Sequence, residues 1–291
     1  MRILILGGDG MLGHQLLRHF EGRYETRVTL RQDSTAYAGY GLFRKGNSYA
    51  GIDVRSTERL IEVLSDFRPQ AVVNAVGIVK QRGTVNESNA SLEINALLPH
   101  RLAVLCRMIG AYLVHMSTDC VFTGTKGSYT EDEISDATDL YGRSKFFGEV
   151  NCQGCITLRT SIIGLELARK TSLIEWYLAQ HGRIPGFDRA LYTGFSTAEM
   201  ARVVERVLVQ HAGLSGVWHV ASAPISKYAL LTRLNQKLGR TDLLIERDET
   251  FVCDRSLDGS RFNRQTGYTP PSWDAMLDEL AQQIRERENK Q

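Results

Sequence analysis

Tyr141 and Lys145 stand four residues apart in Tyr141-Gly-Arg-Ser-Lys145. At the head of a helix this spacing puts a phenol and an ammonium group on one face. The ammonium favours the phenolate, and the helix N-terminus acts in the same direction, so the tyrosine pKa is expected to fall toward working pH. A phenol tuned in this way can protonate a carbonyl oxygen while a hydride reaches the carbon, or take the proton back in reverse. Alone, Tyr-x-x-x-Lys is equally a solvated surface pair. Ser117-Thr-Asp-Cys-Val-Phe122 adds hydroxyls at the carboxyl end of a strand, where open α/β sheets place their ligand crevice. Ser117 or Thr118 can hydrogen-bond the reacting oxygen beside Tyr141. By itself that segment reads as a turn.

A third cluster is Gly7-Gly-Asp-Gly-Met-Leu-Gly13, directly after the apolar run Arg2-Ile-Leu-Ile-Leu6. Gly8, Gly10 and Gly13 fit G-x-G-x-x-G, whereas Gly7, Gly10 and Gly13 fit G-x-x-G-x-x-G. A helical pattern (Met11, Leu12, Gln15, Leu16, Phe20) starts inside the motif. Strand, glycines, then helix is the context of dinucleotide binding, in which backbone N–H groups at a helix start approach a pyrophosphate with no Cβ in the way. Gly7, Gly10, Met11, Leu12 and Gly13 are therefore candidate cofactor contacts. After Val28-Thr-Leu30 comes Arg31, suited to the 2′-phosphate of NADP rather than the free ribose of NAD. NADPH is expected; nearby Asp33 leaves NADH open.

These groups need a scaffold, and the periodicity supplies one. Strands are expected at 2–6, 26–30, 71–76, 112–116 and 156–158. Helices are expected at 11–20, from Ser56 to before Pro69, at 89–109 and at 141–150. Strands alternating with helices imply right-handed crossovers and a doubly wound parallel sheet, a Rossmann-type α/β fold. Later, Ser196-Thr-Ala-Glu199 is a capping box opening a helix to about residue 211, 217–221 reads as a strand, and Ser226–Leu238 as a helix stopped by Gly239. From Trp273 an amphipathic helix runs into a charged tail expected to fray. The expected division is a dinucleotide-binding domain over 1–161, to which 192–221 returns, and a smaller mixed α/β substrate lobe from 162–191 and 222–291.

The chain has 291 residues and a formal charge of +2, which does not call for a nucleic-acid partner. No run approaches the ~18 apolar residues of a membrane span, and the N-terminus is unlike a secretory signal. A cytoplasmic protein is expected. Five cysteines suit a reducing compartment, and neither Cys152-Gln-Gly-Cys155 nor the seven scattered histidines complete a metal site. For a substrate diphosphate the lobe offers Arg169, Lys170, Arg183 and Arg189, the last after the loop-like Gly186-Phe-Asp.

The sequence resembles the extended short-chain dehydrogenase/reductases and, among them, is most similar to the dTDP-4-dehydrorhamnose reductase group of nucleotide-sugar reductases. The resemblance runs through GGDGMLG, Gly51-Ile-Asp-Val54, Asn74-Ala-Val-Gly77, Ile94-Asn-Ala96, STDCVF, YGRSK with Gly148-Glu149, and Leu158-Arg-Thr-Ser161; it is dense over the first 160 residues and thin afterwards. It implies a triad of Thr118, Tyr141 and Lys145, with Tyr141 as proton donor and Lys145 holding the tyrosine and the nicotinamide ribose. It places Asp53 and Val54 near the adenine, Ala75 and Gly77 in the cofactor groove, and Asp119 near the sugar. Asn95 supports the site from the long helix, or packs inside it. Cys120 stands where the group carries tyrosine, and Ile162-Ile163 where it carries an aromatic residue, which points to a 4-keto sugar other than the rhamnose precursor. Ala137-Thr-Asp139 replaces the usual Pro-x-Asn before Tyr141, which leaves the loop over 123–140 unassigned. The implied activity is NADPH-dependent reduction of a nucleotide-linked 4-keto-6-deoxy sugar by a chain that can form a homodimer. Two alternatives stand beside it: an epimerase or dehydratase with tightly held NAD, and a non-catalytic NADP-binding regulatory subunit.

Overall fold

The computed structural model describes residues 1–79 and 85–289. The chain begins β1 (Arg2–Leu6), α1 (Met11–Phe20), β2 (Glu25–Thr29), β3 (Ser48–Tyr49), α2 (Thr57–Phe67), β4 (Ala71–Asn74), α3 (Val85–Ser91). It continues through α4 (Leu98–Ile109), β5 (Tyr112–Thr118), α5 (Leu140–Phe147) and β6 (Cys155–Thr160). The later segments are β7 (Ile162–Ile163), α6 (Leu173–Leu178), β8 (Gly182–Phe187), β9 (Ala190–Tyr192), β10 (Phe195–Ser196) and α7 (Thr197–Gln210). Last come β11 (Gly216–His219), β12 (Ile225–Ser226), α8 (Lys227–Leu238), β13 (Leu243–Asp248), β14 (Cys253–Asp254), α9 (Ser260–Thr266) and α10 (Trp273–Glu288).

Seven strands form one parallel sheet in the order β11-β6-β5-β4-β1-β2-β3. Its inner strand β1 is a continuous apolar run rather than an alternation because helices cover both faces of the sheet. Ile3 and Ile5 pack with Leu16, Phe20 and Val204 on one side, while Leu4 and Leu6 pack with Leu64, Leu102 and Cys106 on the other. Each such side chain contributes about 1.5–3 kcal/mol on burial. From β1 the chain winds outward to β2 and β3, then returns to β4 on β1's other side. This reversal opens a crevice outside the carboxyl ends of β1 and β4. Beyond the sheet, β8 pairs with β13, and β9 carries antiparallel β12 on one edge and parallel β14 on the other.

Three local differences from the expected elements have physical causes. The helix expected over 89–109 is interrupted by a π-helical segment, Leu92–Leu97, before Pro99 opens α4. Helix α5 stops at Phe147 rather than Val150, because Gly148 lies against that π segment: a Cβ there would fall 1.9 Å from the Asn95 carbonyl oxygen. The capping box of α7 is half realised. Ser196 Oγ accepts from Glu199 N at 3.2 Å, but the Glu199 carboxylate is taken by Arg202 and Tyr268. Lys290 and Gln291, the end of the charged tail, lie outside the described residues. Among the described residues no helix is long and apolar enough to cross a membrane.

Candidate active site

The glycine cluster makes the turn from β1 into α1. Gly7 adopts φ +81°, and Gly10 N donates to Gly7 O at 3.1 Å. A Cβ on Gly13 would lie 2.0 Å from Gly7 O, and one on Gly8 would lie 2.5 Å from the Val28 side chain, so helix and turn meet backbone to backbone and the turn packs directly on β2. Helix α1 has no side-chain cap on Gly10 and no acidic residue in its first turn. The N–H groups of Met11, Leu12 and Gly13 thus have no partner within the helix. An uncapped helix start behind a cradle that side chains would fill suits a dinucleotide pyrophosphate. Asp9 inside the turn accepts from Tyr37 Oη at 2.9 Å, and that oxygen accepts from Gln32 N at 3.1 Å, which ties the turn to the segment after β2.

Ala75, Val76 and Gly77 follow β4 beside this turn, where Ala75 N donates to Leu6 O at 3.2 Å. Arg31 is exposed at the end of β2, and Val54 is buried. Asp53 is gripped by Arg55, whose Nε lies 3.0 Å from both carboxylate oxygens; that pairing, with Arg31 adding charge nearby, holds the Asp53 carboxyl below its usual range. Arg55 belongs with Arg31 as a basic group at this edge, yet no motif marks it.

At the end of β5, Thr118 Oγ1 accepts from Cys120 N at 3.1 Å and donates to Asp119 Oδ1 at 3.1 Å. Asp139 caps α5 by accepting from Gly142 N at 3.0 Å, so the loop's Ala137-Thr-Asp139 launches the helix that carries Tyr141 and Lys145. Lys145 is buried and Nζ donates to Met116 O at 2.6 Å. Burial pulls its pKa down to about 8 against the attraction of Glu149. The expected lowering of the Tyr141 pKa is not what the structure shows. Burial pushes it up, the nearby Cys120 and Asp119 act the same way, and the neighbouring Thr118 hydroxyl opposes them only in part. The spacing argument failed because Lys145 is turned to the backbone of β5 instead of the phenol.

Asn95 resolves as a buried brace. Its amide accepts from Ile78 N and donates to Ile78 O, both at 2.9 Å, and donates to Ser144 Oγ at 3.1 Å. It therefore locks the groove after β4 to α5. Ser117 serves a different network: its hydroxyl donates to Glu149 Oε1 at 2.7 Å, and Glu149 forms a buried two-pronged pair with Arg159, 2.7 Å on each side. Arg159 also donates to His219 Nε2 at 3.1 Å.

On the substrate side Asp119 is buried, and burial raises its pKa against the pull of Arg255. Cys120, half-buried, has its thiol pushed up to about 12. Ile162-Ile163 is β7, paired with β10, and Ile163 packs into the core. Among the basic candidates Arg183 is engaged by Glu246 at 2.8 Å, while Arg169, Lys170 and Arg189 are exposed. Two residues absent from the sequence reading reach this region from the later part of the chain: Arg255, after β14, and Tyr192, on β9. Neither lies in a spacing that singles it out. Among the described residues no cluster of His, Cys, Asp and Glu is placed to hold a metal.

Comparison with known proteins fits this geometry. Methionine adenosyltransferase 2 subunit beta of Rattus norvegicus is 27% identical over 166 residues, 56% of this chain and 47% of that protein. The chain thus spans about half the length of the first curated relatives it matches. The dTDP-4-dehydrorhamnose reductase of Burkholderia thailandensis is 27% identical over 239 residues, 77% of this chain and 73% of that one. The crystal structure of dTDP-4-dehydrorhamnose reductase from Bacillus anthracis in complex with NADP superposes with a TM-score of 0.75 at 20% identity, covering 96% and 98% of the two chains. The family described as "RmlD substrate binding domain" matches residues 1–285, and the chain belongs to that family.

Proposed function

We propose that the protein is an NADPH-dependent reductase of a nucleotide-linked 4-keto-6-deoxy sugar, at work in sugar-nucleotide or polysaccharide biosynthesis. The observation that carries this reading is that Tyr141 sits beside Thr118, and Lys145 bonds Met116 O, all at the carboxyl end of β5, in the same parallel sheet as the glycine turn after β1. The similarity to a dTDP-4-dehydrorhamnose reductase supports the substrate class. A bound nicotinamide cofactor would supply the hydride. Tyr141, protonated at neutral pH and made a weaker acid by burial, would give its proton to the sugar oxygen, and Thr118 would hydrogen-bond the same oxygen. Lys145, fixed by its bond to Met116 O, would hold the nicotinamide ribose, and Asn95 would brace the groove that takes the cofactor. Arg31 would meet the adenosine 2′-phosphate, with the Asp53-bound Arg55 beside that edge, and so favour NADPH over NADH. Tyr141→Phe is expected to leave NADPH binding intact and lower turnover at least about 10²-fold, the scale of general acid catalysis; a variant with full turnover overturns the mechanism.

A second reading, a cofactor-binding regulatory subunit, is favoured by one observation: the first relatives bear the name of a subunit of another enzyme. Such a chain would bind NADPH and turn over no nucleotide-linked keto sugar.

A further inference from the structure

We propose that Arg255 and Tyr192 form an oxyanion subsite beside Asp119 and Cys120, which takes a carboxylate or phosphate oxygen of the substrate. The identity of the substrate rests on the reductase reading; the subsite itself rests on the packing of the later strands against the end of β5. Parallel pairing of β9 with β14, followed by Arg255 N donating to Leu191 O at 3.1 Å, brings the two side chains to one edge. Among the described residues the Arg255 guanidinium makes one strong bond, Nε to Phe122 O at 2.9 Å. Its Nη1 meets the Cys120 sulfur at 3.7 Å, a weak acceptor, and Nη2 makes no hydrogen bond among the described residues. No carboxylate among the described residues pairs with it within 4.0 Å, although Asp119 and Asp139 are near enough for their charge to be felt. A half-buried arginine with an open fork matches the planar, two-oxygen face of a carboxylate or phosphate.

Tyr192 supplies the second, independent observation. It is only 7% exposed, feels the charge of Asp119, and its hydroxyl has no hydrogen-bond partner among the described residues. Buried hydroxyls are almost always bonded, and one left unmatched among the described residues, with Asp119 as the neighbour it shares with Arg255, fits a donor kept for a ligand. Position selects the part of the substrate: Asp119 follows Thr118 directly, so the anion binds next to the reacting sugar, either as a carboxylate on the ring or as the first phosphate of the diphosphate.

Calorimetric titration of the purified protein, with and without NADPH, tests this. The probes are inorganic diphosphate, thymidine diphosphate and glucuronate, and the variants are Arg255→Gln, Arg255→Lys and Tyr192→Phe. The wild type is expected to bind at least one class of probe. Arg255→Gln should weaken it about tenfold or more, and Arg255→Lys should restore part of the loss, as a point charge does for a bidentate one. Losses confined to the diphosphates identify the phosphate source, and a loss confined to glucuronate identifies the carboxylate. Tyr192→Phe removes a hydroxyl with no partner among the described residues, so its thermal midpoint should hold or rise while anion binding weakens severalfold. Should Arg255→Gln fold poorly, Tyr192→Phe carries the test alone. Wild-type binding of none of the probes, or variants that bind them as tightly as wild type, overturns the subsite. Absence of NADPH oxidation with any keto sugar, with anion binding intact, overturns the reductase reading and leaves the subsite standing.

Discussion

Burial moves Tyr141 and Lys145 in opposite directions, and this decides which of them shapes the pH profile. Tyr141 is pushed up and stays protonated, while Lys145 is pulled down to about 8 with only Glu149 favouring its charge. His115, behind Lys145, is fully buried and held well below the usual imidazole range, so it is neutral. The kcat/KM of reduction is therefore expected to fall as pH rises through about 8, when Lys145 loses its proton, and Lys145→Arg should carry that limb to higher pH. A profile flat across pH 8 contradicts the assignment. For stability the sign is opposite: the unfolded lysine titrates near 10.5, so between about 8 and 10.5 the unfolded chain binds more protons and stability rises with pH. At the cofactor edge, Arg31→Ala should weaken NADPH about tenfold and NADH little, the worth of one charge-assisted phosphate contact; equal losses measured by fluorescence titration would remove Arg31 from the 2′-phosphate. Arg31 could be read from its place after an expected strand, whereas Arg55 could not, because its role comes from its grip on Asp53.

Short-range elements were legible where spacing and backbone demand coincide. The glycine turn is the clearest case, since close approach leaves no room for a side chain. Gly13→Ala would put a methyl group 2.0 Å from a backbone oxygen. It is expected to cost about 1–3 kcal/mol in denaturant melts and to weaken NADPH binding in parallel; a variant of wild-type stability and affinity contradicts the cradle. The break in the helix over 89–109 was only half legible, because Pro99 marks the start of α4 while one extra residue per turn over Leu92–Leu97 leaves no mark on composition. The same break explains the early end of α5: Gly148 is itself a stop signal, but its reason, contact with the Asn95 carbonyl, lies in another element.

Across the whole molecule, the buried Glu149–Arg159 pair joins β5 through Ser117, β6 through Arg159, and β11 through His219, whose Nδ1 bonds Tyr129 O at 3.0 Å. Burial and Arg159 hold His219 at about 3, so it accepts from Arg159 as a neutral ring. Glu149→Gln alone is expected to destabilise by about 3–5 kcal/mol by leaving a buried guanidinium unpaired, and the double change Glu149→Gln with Arg159→Met to recover most of it. Additive losses in a double-mutant cycle would show that the two do not act as a pair. Arg159 and Glu149 were visible in the sequence only as matches to a family pattern, and Arg255 and Tyr192 not at all, since strands far apart in the chain bring them to the site. The central claim is tested most directly by following NADPH absorbance while the purified protein is offered a panel of nucleotide-linked 4-keto-6-deoxy sugars. Oxidation with one of them, abolished in Tyr141→Phe, is the predicted result. NADPH bound but unoxidised with every sugar would contradict it.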